Sequence, residues 1–234
     1  MYNYSNLTII IPTLNEAKNI KTLIGTLLRR YRGVRIIVAD DGSTDGTQNE
    51  IRSFGARSKG RVVLLDRSRK AVHGLTQSVI DAAMHVRTRD IIVMDADLQH
   101  PPDKVRLLAE ALEEYRLVIG VRAEVANWGL YRTVVSKSVS AFCNTVFFIR
   151  GKKTSHDIMS GFFGIRAELF KRIISEHGDR YVGRGYKVLL DTLKFIDRDE
   201  KVGEVEYTGF HDRVYGKSKA NYKILRNILV STLT

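Results

Sequence analysis

The first half of the chain alternates between short β-branched apolar runs and segments whose apolar residues have helical spacing. The predicted strands are residues 7–11, 35–40, 61–65, 91–95 and 117–121, and the predicted helices between them fall around residues 20–28, 75–86 and 105–112. This alternation favours a mostly parallel sheet that is covered by helices on both faces. Ligands of such sheets bind beyond the carboxyl ends of the strands, where loops and helix N-termini meet. We therefore predict a Rossmann-like α/β fold with its functional residues in the loops that follow the strands.

The second half begins near Arg132 with a different pattern. Its first feature is an apolar stripe at helical spacing, formed by Val135, Val139, Phe142, Cys143 and Val146. Further predicted elements are a strand over 161–166, helices over 167–175 and 188–195, a strand over 202–207 and a basic amphipathic helix over 221–233. A chain of 234 residues, 44% of them hydrophobic, can bury one large core, so we predict a single domain over residues 1–234.

The charge balance indicates an anionic partner. The chain has 38 Lys and Arg residues against 26 Asp and Glu residues, a formal net charge of +12. Such a surface attracts the phosphates of nucleotides, lipid headgroups or nucleic acids, or simply keeps the protein soluble. The basic residues are scattered and match no RNA-binding or zinc-finger signature, so no nucleic-acid partner is predicted.

Three features of the sequence predict a cytoplasmic polypeptide. No apolar run reaches the roughly 18 residues that a membrane span needs. No basic flank, apolar segment and cleavage site precede the first strand, as a signal peptide would require. The single cysteine, Cys143, cannot form an internal disulfide.

A short acidic motif, Asp95-Ala96-Asp97, ends the fourth predicted strand, and Gln99 follows it. Residues two apart in an extended segment point the same way, so Asp95, Asp97 and Gln99 can converge on one point. Two carboxylates and an amide oxygen suit Mg²⁺ or Mn²⁺, which completes its shell with substrate phosphates. The alternative is a turn that caps a helix opened by Pro101-Pro102. The position at the end of a buried strand favours the metal site.

Two more polar loops follow the first and second predicted strands, at residues 12–16 and 40–47. The short polar side chains and two glycines of the second loop indicate a tight turn that caps a helix beginning near Thr47. Asp40 can accept hydrogen bonds from a nucleobase or ribose, with Asp41 toward the diphosphate, and Glu16 offers another acceptor. The alternative is a turn with no ligand.

These three loops together resemble the inverting GT-A glycosyltransferases, and the unbroken segment 95–102 is similar to the dolichol-phosphate mannose synthases. The resemblance continues through residues 120–122, 127–128, 132–136, 160–163, 185–187 and 216–219, so it covers nearly the whole chain. It implies a GT-A fold with amphipathic interface helices toward the C-terminus. It also implies an enzyme that transfers mannose from GDP-mannose to dolichyl (polyprenyl) phosphate with Mg²⁺ or Mn²⁺. Residues 1–121 would then form the nucleotide-sugar and metal half, and residues 122–234 the acceptor half.

The resemblance also implies roles for individual residues. The nucleotide sugar would contact Pro12, Leu14, Glu16, Asp40, Asp41, Asp66, Asp95, Ala96, Arg213 and Lys219. The metal would be held by Asp95, Asp97 and Gln99, and the acceptor phosphate by Arg122, Arg132 and Ser136. The predicted catalytic residues among these are Asp97, Arg122 and Arg132. Leu14 departs from the aromatic residue that many relatives have at this position.

Helical spacing supports the acceptor assignment separately, because Arg132 and Ser136 are one turn apart and share a face. An arginine fork and a hydroxyl suit phosphate oxygens, and the apolar stripe beside them suits a hydrocarbon tail. Alternatively, the stripe packs into the core and Arg132 is solvated. The polar segment 122–131 contains Gly129 and is predicted to be a mobile lid. Asp157 is predicted either to position a substrate or to cap a turn.

A phosphate acceptor is already anionic near neutral pH, so the predicted reaction needs no general base. Three other functions stay open. A UDP-glucose or other UDP-sugar donor is possible because its enzymes share the Asp-Ala-Asp-Leu-Gln motif, whereas His100 and the downstream match favour GDP-mannose. Polysaccharide synthesis on a sugar hydroxyl would require a carboxylate base and an aromatic-rich acceptor motif. The third is a nucleotide- or RNA-binding module without catalysis.

A lipid acceptor implies contact with a membrane. The basic helix over 221–233 is predicted to touch the membrane surface, or else to pack on the domain, and Trp128 either lies at the membrane interface or packs in a loop. Many relatives continue into transmembrane helices, which this sequence lacks. We therefore expect a peripheral protein at the cytoplasmic face, or the part of a longer protein that ends after its interfacial helix.

Overall fold

The computed structural model describes residues 3–123, 130–181, 188–210 and Thr232, the side chains of residues 130–136 excepted. The strands of these residues are β1 (Leu7–Thr13), β2 (Arg35–Asp40), β3 (Val62–Asp66), β4 (Asp90–Val93), β5 (Leu117–Arg122), β6 (Phe163–Arg166) and β7 (Val202–Tyr207). The α-helices are α1 (Ala17–Arg30), α2 (Thr47–Arg57), α3 (Leu75–His85), α4 (Val105–Ala111), α5 (Leu130–Ile149), α6 (Ala167–His177) and α7 (Val188–Phe195). Short 3₁₀ helices cover Pro102–Lys104 and Gly178–Arg180.

The seven strands form one sheet in the order β3-β2-β1-β4-β6-β5-β7. Strand β6 pairs antiparallel with both β4 and β5, and every other pairing is parallel. The predicted mostly parallel α/β sheet is therefore confirmed. The one reversed strand follows from its connection: after α5 the chain returns to the carboxyl end of β5, so Phe163 enters the sheet opposite Ile119 and Val93.

Helices cover both faces of the sheet, as the continuous apolar strands predict. Successive residues of a strand alternate between the faces. In β1, Ile10 packs with α3, α6 and α7, whereas Ile9 and Ile11 pack with α1 and α4. All seven residues of β1 are buried. Burying an isoleucine of this kind contributes on the order of 2 kcal/mol, so the central strands hold the edge loops on a rigid base.

Part of the apolar stripe of α5 packs into the core. Cys143 and Phe147 are 0% and 1% exposed and join the core cluster, and Val139 packs against it. For Val139 and Cys143 the alternative prediction, packing into the core, is confirmed, whereas Phe142 of the same stripe is 38% exposed and the side chain of Val135 lies outside those described. The end of α5 also exposes Phe148 and Ile149, at 78% and 77%.

Among the described residues, no helix is both long enough and apolar enough to cross a bilayer. The predicted helix over 221–233 lies outside the described residues except for Thr232, and Trp128 also lies outside them. Thr232 is buried, and its hydroxyl lies 3.2 Å from Sγ of Cys143. The single domain and its division after residue 121 stay predictions.

Candidate functional site

The carboxyl ends of the parallel strands meet at one edge of the sheet. Thr13, Asp40 and Asp66 end β1, β2 and β3 and are direct neighbours in register. The acidic segment after β4 leaves the same edge, because β4 pairs in parallel with β1. Arg122 ends β5 at this edge too, since β4 and β5 both run opposite to β6. The sheet thus brings the predicted loop residues to one side of the molecule.

The carboxylate of Asp40 is fully buried at the tip of β2. It accepts hydrogen bonds from the hydroxyl of Thr13 at 3.1 Å, from the amide of Ser43 at 2.9 Å and from Nε2 of Gln48 at 2.8 Å. The loop can close around it because Gly42 adopts a φ of 97°. The predicted contact with a base or ribose stays a prediction, and it requires one of these internal bonds to be exchanged.

The carboxylate of Asp41 is also held by the protein. It accepts hydrogen bonds from a guanidinium nitrogen of Arg67 and from the amide of Gly74, the latter at 2.7 Å, and Nδ1 of His73 lies 3.0 Å away. Arg67 is 1% exposed and also donates to Asp81 at 2.9 Å. Asp41 therefore anchors the loop between β3 and α3, and its predicted contact near the diphosphate stays untested.

Asp66 is the more open carboxylate of this side, with 39% of its side chain exposed. Hydrogen bonds from Ser68 lower the pKa of Asp66 below its ordinary value, so it is ionised and accepts hydrogen bonds at neutral pH. Nε2 of Gln48 lies 3.2 Å from Asp66 and also bonds Asp40. Gln48 therefore links the ends of β2 and β3.

The loop after β1 is bonded to the loop after β2. The amide of Asn15 donates to the hydroxyl of Ser43 at 2.7 Å, and the amide of Glu16 donates to the hydroxyl of Thr47 at 2.9 Å. Pro12 is buried, whereas Leu14 and Glu16 are partly exposed. The predicted nucleotide residues of the first loop are thus held on a fixed backbone, and Glu16 also accepts a 2.6 Å hydrogen bond from Asn19.

The acidic motif provides some, but not all, of the oxygen ligands that a divalent cation needs. Asp95 has 29% of its side chain exposed, and Asp97 is 3% exposed and accepts the amide of Gln99 at 3.1 Å. Ala96 between them is 4% exposed. No group of three or more His, Cys, Asp or Glu side chains is placed to hold a metal within the residues described. Two carboxylates and an amide fit Mg²⁺ or Mn²⁺, which takes further oxygens from a substrate diphosphate.

Gly161 makes room for the carboxylate of Asp95. A Cβ built at Gly161 would lie 2.7 Å from Oδ2 of Asp95, closer than any methyl carbon can approach. The glycine stands just before β6, which carries it to the edge where β4 ends. The acidic motif and the second half of the chain therefore meet at this contact.

Arg122 forms a two-bond ion pair with Asp157. Nε and Nη2 of Arg122 donate to the two oxygens of Asp157 at 2.6 and 2.8 Å, and the guanidinium lies 5.0 Å from the ring centre of Phe210. Burial lowers the pKa of Arg122, but the hydrogen bonds and charge of Asp157, with smaller contributions from Tyr207 and Asp95, outweigh burial and raise it. Arg122 is thus a permanent cation near Asp95, and its predicted contact with the acceptor phosphate stays a prediction.

Several predicted site residues cannot be placed. The side chains of Arg132 and Ser136 lie outside the described part, although their backbone belongs to α5. Arg213 and Lys219 lie outside the described residues, as do six residues, 124–129, of the predicted lid.

Two residues of the site, Arg67 and Tyr207, were not predicted from the sequence. Arg67 reads as one of several scattered basic residues, yet it is buried against Asp41 and Asp81. In the sequence, Tyr207 is only the last residue of a predicted strand, yet its hydroxyl lies 2.7 Å from Nδ1 of His100. No periodic pattern reveals such pairs, because their partners are up to 107 residues away.

Comparison with known proteins identifies a matching family and several similar proteins. The family model described as Glycosyl transferase family 2 matches residues 8–174. The dolichol-phosphate mannosyltransferase of Saccharomyces cerevisiae is 29% identical, over 93% of this chain and 82% of that protein. The protein of the same name from Pyrococcus furiosus is 31% identical, over 93% of this chain and 60% of that protein.

A solved structure shares the fold. Glucosyl-3-phosphoglycerate synthase from Mycobacterium tuberculosis, in complex with Mn²⁺, uridine diphosphate and glucosyl-3-phosphoglycerate, superposes with a TM-score of 0.70. The alignment covers 97% of this chain and 78% of that one at 18% identity. At this identity the likeness supports the predicted GT-A fold and no further property.

Proposed function

The chain belongs to glycosyl transferase family 2 and is a glycosyltransferase, and on that premise we propose that it transfers mannose from GDP-mannose to dolichyl (polyprenyl) phosphate with inversion at the anomeric carbon. The named relatives support the mannose and the lipid phosphate. The observation that carries the proposal is local: the partly exposed carboxylate of Asp95 and the permanent cation of Arg122 interact across one edge of the sheet. The metal that accompanies an anionic donor needs a carboxylate ligand such as Asp95. An anionic acceptor needs a cation such as Arg122.

The donor half of the site is assigned to the loops after β1 to β4. Leu14 and Glu16 are partly exposed there and Asp66 is exposed, and these three are assigned to the guanosine. Asp95, Asp97 and Gln99 hold the divalent cation beside the diphosphate. When bound, that cation supplies Lewis-acid stabilisation of the negative charge that grows on the departing nucleoside diphosphate.

The acceptor half relies on arginine rather than on a general base. A phosphate oxygen of the lipid is already ionised and attacks the anomeric carbon from the face opposite the leaving group. Asp157 holds the guanidinium of Arg122 through two hydrogen bonds, so the arginine is fixed in place before the acceptor arrives. Arg132 and Ser136 contact the same phosphate, and together these groups orient the nucleophile.

A UDP-sugar donor is the second candidate, because the motif at residues 95–99 is shared with enzymes that use UDP-glucose. The experiment that separates the two offers GDP-mannose, UDP-glucose and UDP-GlcNAc in separate reactions, each with a polyprenyl phosphate and Mg²⁺ or Mn²⁺. Glycolipid formed from GDP-mannose alone supports the proposal. Glycolipid formed from a UDP-sugar alone would replace the donor, and binding of nucleotide sugar without turnover would favour a non-catalytic module.

The acceptor assignment predicts an uneven kinetic effect for Arg132→Ala. Losing a charge-assisted contact to phosphate raises the KM for polyprenyl phosphate by about tenfold or more, at 1.4 kcal/mol for each factor of ten. The KM for GDP-mannose should change less than about twofold. Initial rates with either substrate varied at saturating concentrations of the other measure both values. Equal rises in the two values would contradict the role of Arg132.

The membrane contact of the proposed enzyme is assigned to the end of α5. Phe148 and Ile149 are large apolar side chains in water, and Arg150, Lys152 and Lys153 follow them. No Asp or Glu occurs anywhere from residue 137 to residue 153. Apolar side chains enter the headgroup region, and each nearby lysine or arginine adds about 1 kcal/mol at an anionic surface. This combination suits an anionic bilayer, where the lipid acceptor resides.

Vesicle binding tests that contact. The double substitution Phe148→Ser and Ile149→Ser should lower the fraction bound to phosphatidylcholine–phosphatidylserine vesicles at least about fivefold, since it removes the two most exposed large apolar side chains of the described residues. Co-sedimentation measures the bound fraction. Val63→Ser is the matched control, because Val63 is 49% exposed on β3 at the far edge of the sheet. If the double variant bound vesicles as well as the parental protein does, the end of α5 would not be the membrane contact.

A further inference from the structure

A buried group of four rings lies beside the carboxylate of Asp95. It consists of His100, Phe162, Tyr207 and Phe210, each at most 6% exposed, and we call it the aromatic cluster. The ring of His100 stacks on Phe162 with 5.2 Å between centroids and meets the edge of Phe210 at 5.3 Å. The cluster joins the loop after β4 to the segments before β6 and after β7.

Both nitrogens of His100 face polar groups. Nδ1 lies 2.7 Å from the hydroxyl oxygen of Tyr207, and Nε2 lies 3.8 Å from Oδ2 of Asp95. The second distance is too long for a hydrogen bond, but an ion pair or a charge–dipole attraction acts over it. In the neutral tautomer with the proton on Nε2, that N–H faces the carboxylate of Asp95 and Nδ1 accepts the hydroxyl proton of Tyr207. Burial raises the pKa of Tyr207 above its ordinary value, and the phenol therefore keeps the proton that it donates.

The carboxylate of Asp95 is confined by His100 and Gly161. Its Oδ2 lies 3.8 Å from Nε2 of His100, and a Cβ at Gly161 would lie 2.7 Å from the same oxygen. This confinement restricts the side-chain rotamers of Asp95. A metal-binding carboxylate gains from such restriction, because its orienting partners raise metal affinity.

We propose that His100 and Tyr207 are positioning residues that hold the carboxylate of Asp95 in the orientation that binds a divalent cation. This inference rests on the proposed function, in which Asp95 is a metal ligand. Tyr207 fixes the ring of His100, and His100 directs Nε2–H at Oδ2 of Asp95. Both residues are buried, His100 at 4% and Tyr207 at 3% exposed, so each acts on the cation through Asp95 rather than by direct contact.

The aromatic cluster also touches the acceptor side. Tyr207 is the register partner of Arg122, and Phe210 lies under the guanidinium of Arg122. The orientation of Asp95 therefore depends on strand β7, which belongs to the second half of the chain. A cluster that only filled the core would contribute to stability and would leave metal affinity unchanged.

Metal affinity is the measurement that separates the two roles. In the full chain with GDP present, Mn²⁺ binding is followed by the electron paramagnetic resonance signal of free Mn²⁺. Tyr207→Phe, which removes one hydroxyl and keeps the ring, should raise the Kd for Mn²⁺ about tenfold, and His100→Phe should raise it between about tenfold and a hundredfold. The matched control is Tyr181→Phe, which loses a buried hydroxyl contact of 3.1 Å to Thr192 in the core on the other face of the sheet. Its Kd should equal the parental value.

Thermal unfolding of the same variants completes the test. Parental Kd values for both Tyr207→Phe and His100→Phe would overturn the proposal, whether or not the variants melt earlier, because the cluster would then serve packing alone. A parental chain that binds no Mn²⁺ with GDP would contradict the proposed function, and this inference with it. The proposal is supported if Tyr207→Phe binds Mn²⁺ more weakly than the parental protein but melts at the same temperature as Tyr181→Phe.

Discussion

Asp97→Asn should lower mannosyl transfer by about a thousandfold or more, the effect of several kcal/mol of lost charge stabilisation. Asparagine has the shape of aspartate but lacks the negative charge that a divalent cation needs. The remaining amide oxygen of the variant can still accept the hydrogen bond that Asp97 takes from the amide of Gln99. The fold should therefore persist while catalysis fails. Initial rates at saturating GDP-mannose, polyprenyl phosphate and Mg²⁺ measure the loss.

Asp103→Asn is the matched control for this experiment. Asp103 lies six residues beyond Asp97, has 43% of its side chain exposed and pairs with the neighbouring Lys104. The same chemical change at this exposed position should leave the rate within about twofold, since exposed ion pairs contribute little. A parental rate for Asp97→Asn with metal present would show that this carboxylate holds no catalytic cation.

Gly161→Ala should lower transfer by about a hundredfold while the protein stays folded. The added methyl carbon would lie 2.7 Å from Oδ2 of Asp95, so one of the two must move. Gly161 has no left-handed φ, so the backbone accepts alanine, and the end of the aspartate side chain is the easier part to displace. A shift of about 1 Å in a reacting group can cost a hundredfold in rate. The rate and the Mn²⁺ affinity should fall together.

Gly25→Ala is the matched control, because the added methyl group has space at this position. Gly25 lies inside α1, and a Cβ there would come no closer than 3.4 Å to the end of the Arg29 side chain. Alanine should raise helix stability by up to about 1 kcal/mol and leave transfer unchanged. Full activity in Gly161→Ala would mean that Asp95 does not need its present position.

Local sequence patterns predicted much of the fold and the positions of the edge loops. Apolar runs such as residues 35–40 were recognisable as strands because β2 is buried on both faces. The helix beginning at Thr47 was also predicted, since its start depends on residues close together in the chain. The acidic motif was expected within the end of a strand, but β4 ends at Val93 and the motif follows it in a turn. The family match confirms the fold and the enzyme class.

The remaining features depend on distant partners. The two-bond ion pair between Arg122 and Asp157 spans 35 positions, and no periodicity indicates it. The orientation of the α5 stripe was ambiguous, because a helix with apolar residues on several sides gives no single direction for its core. The internal partners of Asp40 and Asp41 were missed for a related reason: an acidic loop has the same sequence whether its carboxylates face a ligand or the loop itself.

The reversed strand β6 has a consequence for how the protein is made. In the sheet order, β6 stands between β4 and β5, so nothing joins β5 to the first four strands until Phe163–Arg166 has been added. A nascent chain that ends before residue 163 therefore contains a fifth strand that has no neighbour among the first four. The cleft that gathers Asp95, Gly161 and Arg122 thus assembles late in synthesis, and a nascent chain halted before residue 163 should expose an apolar edge that chaperones bind.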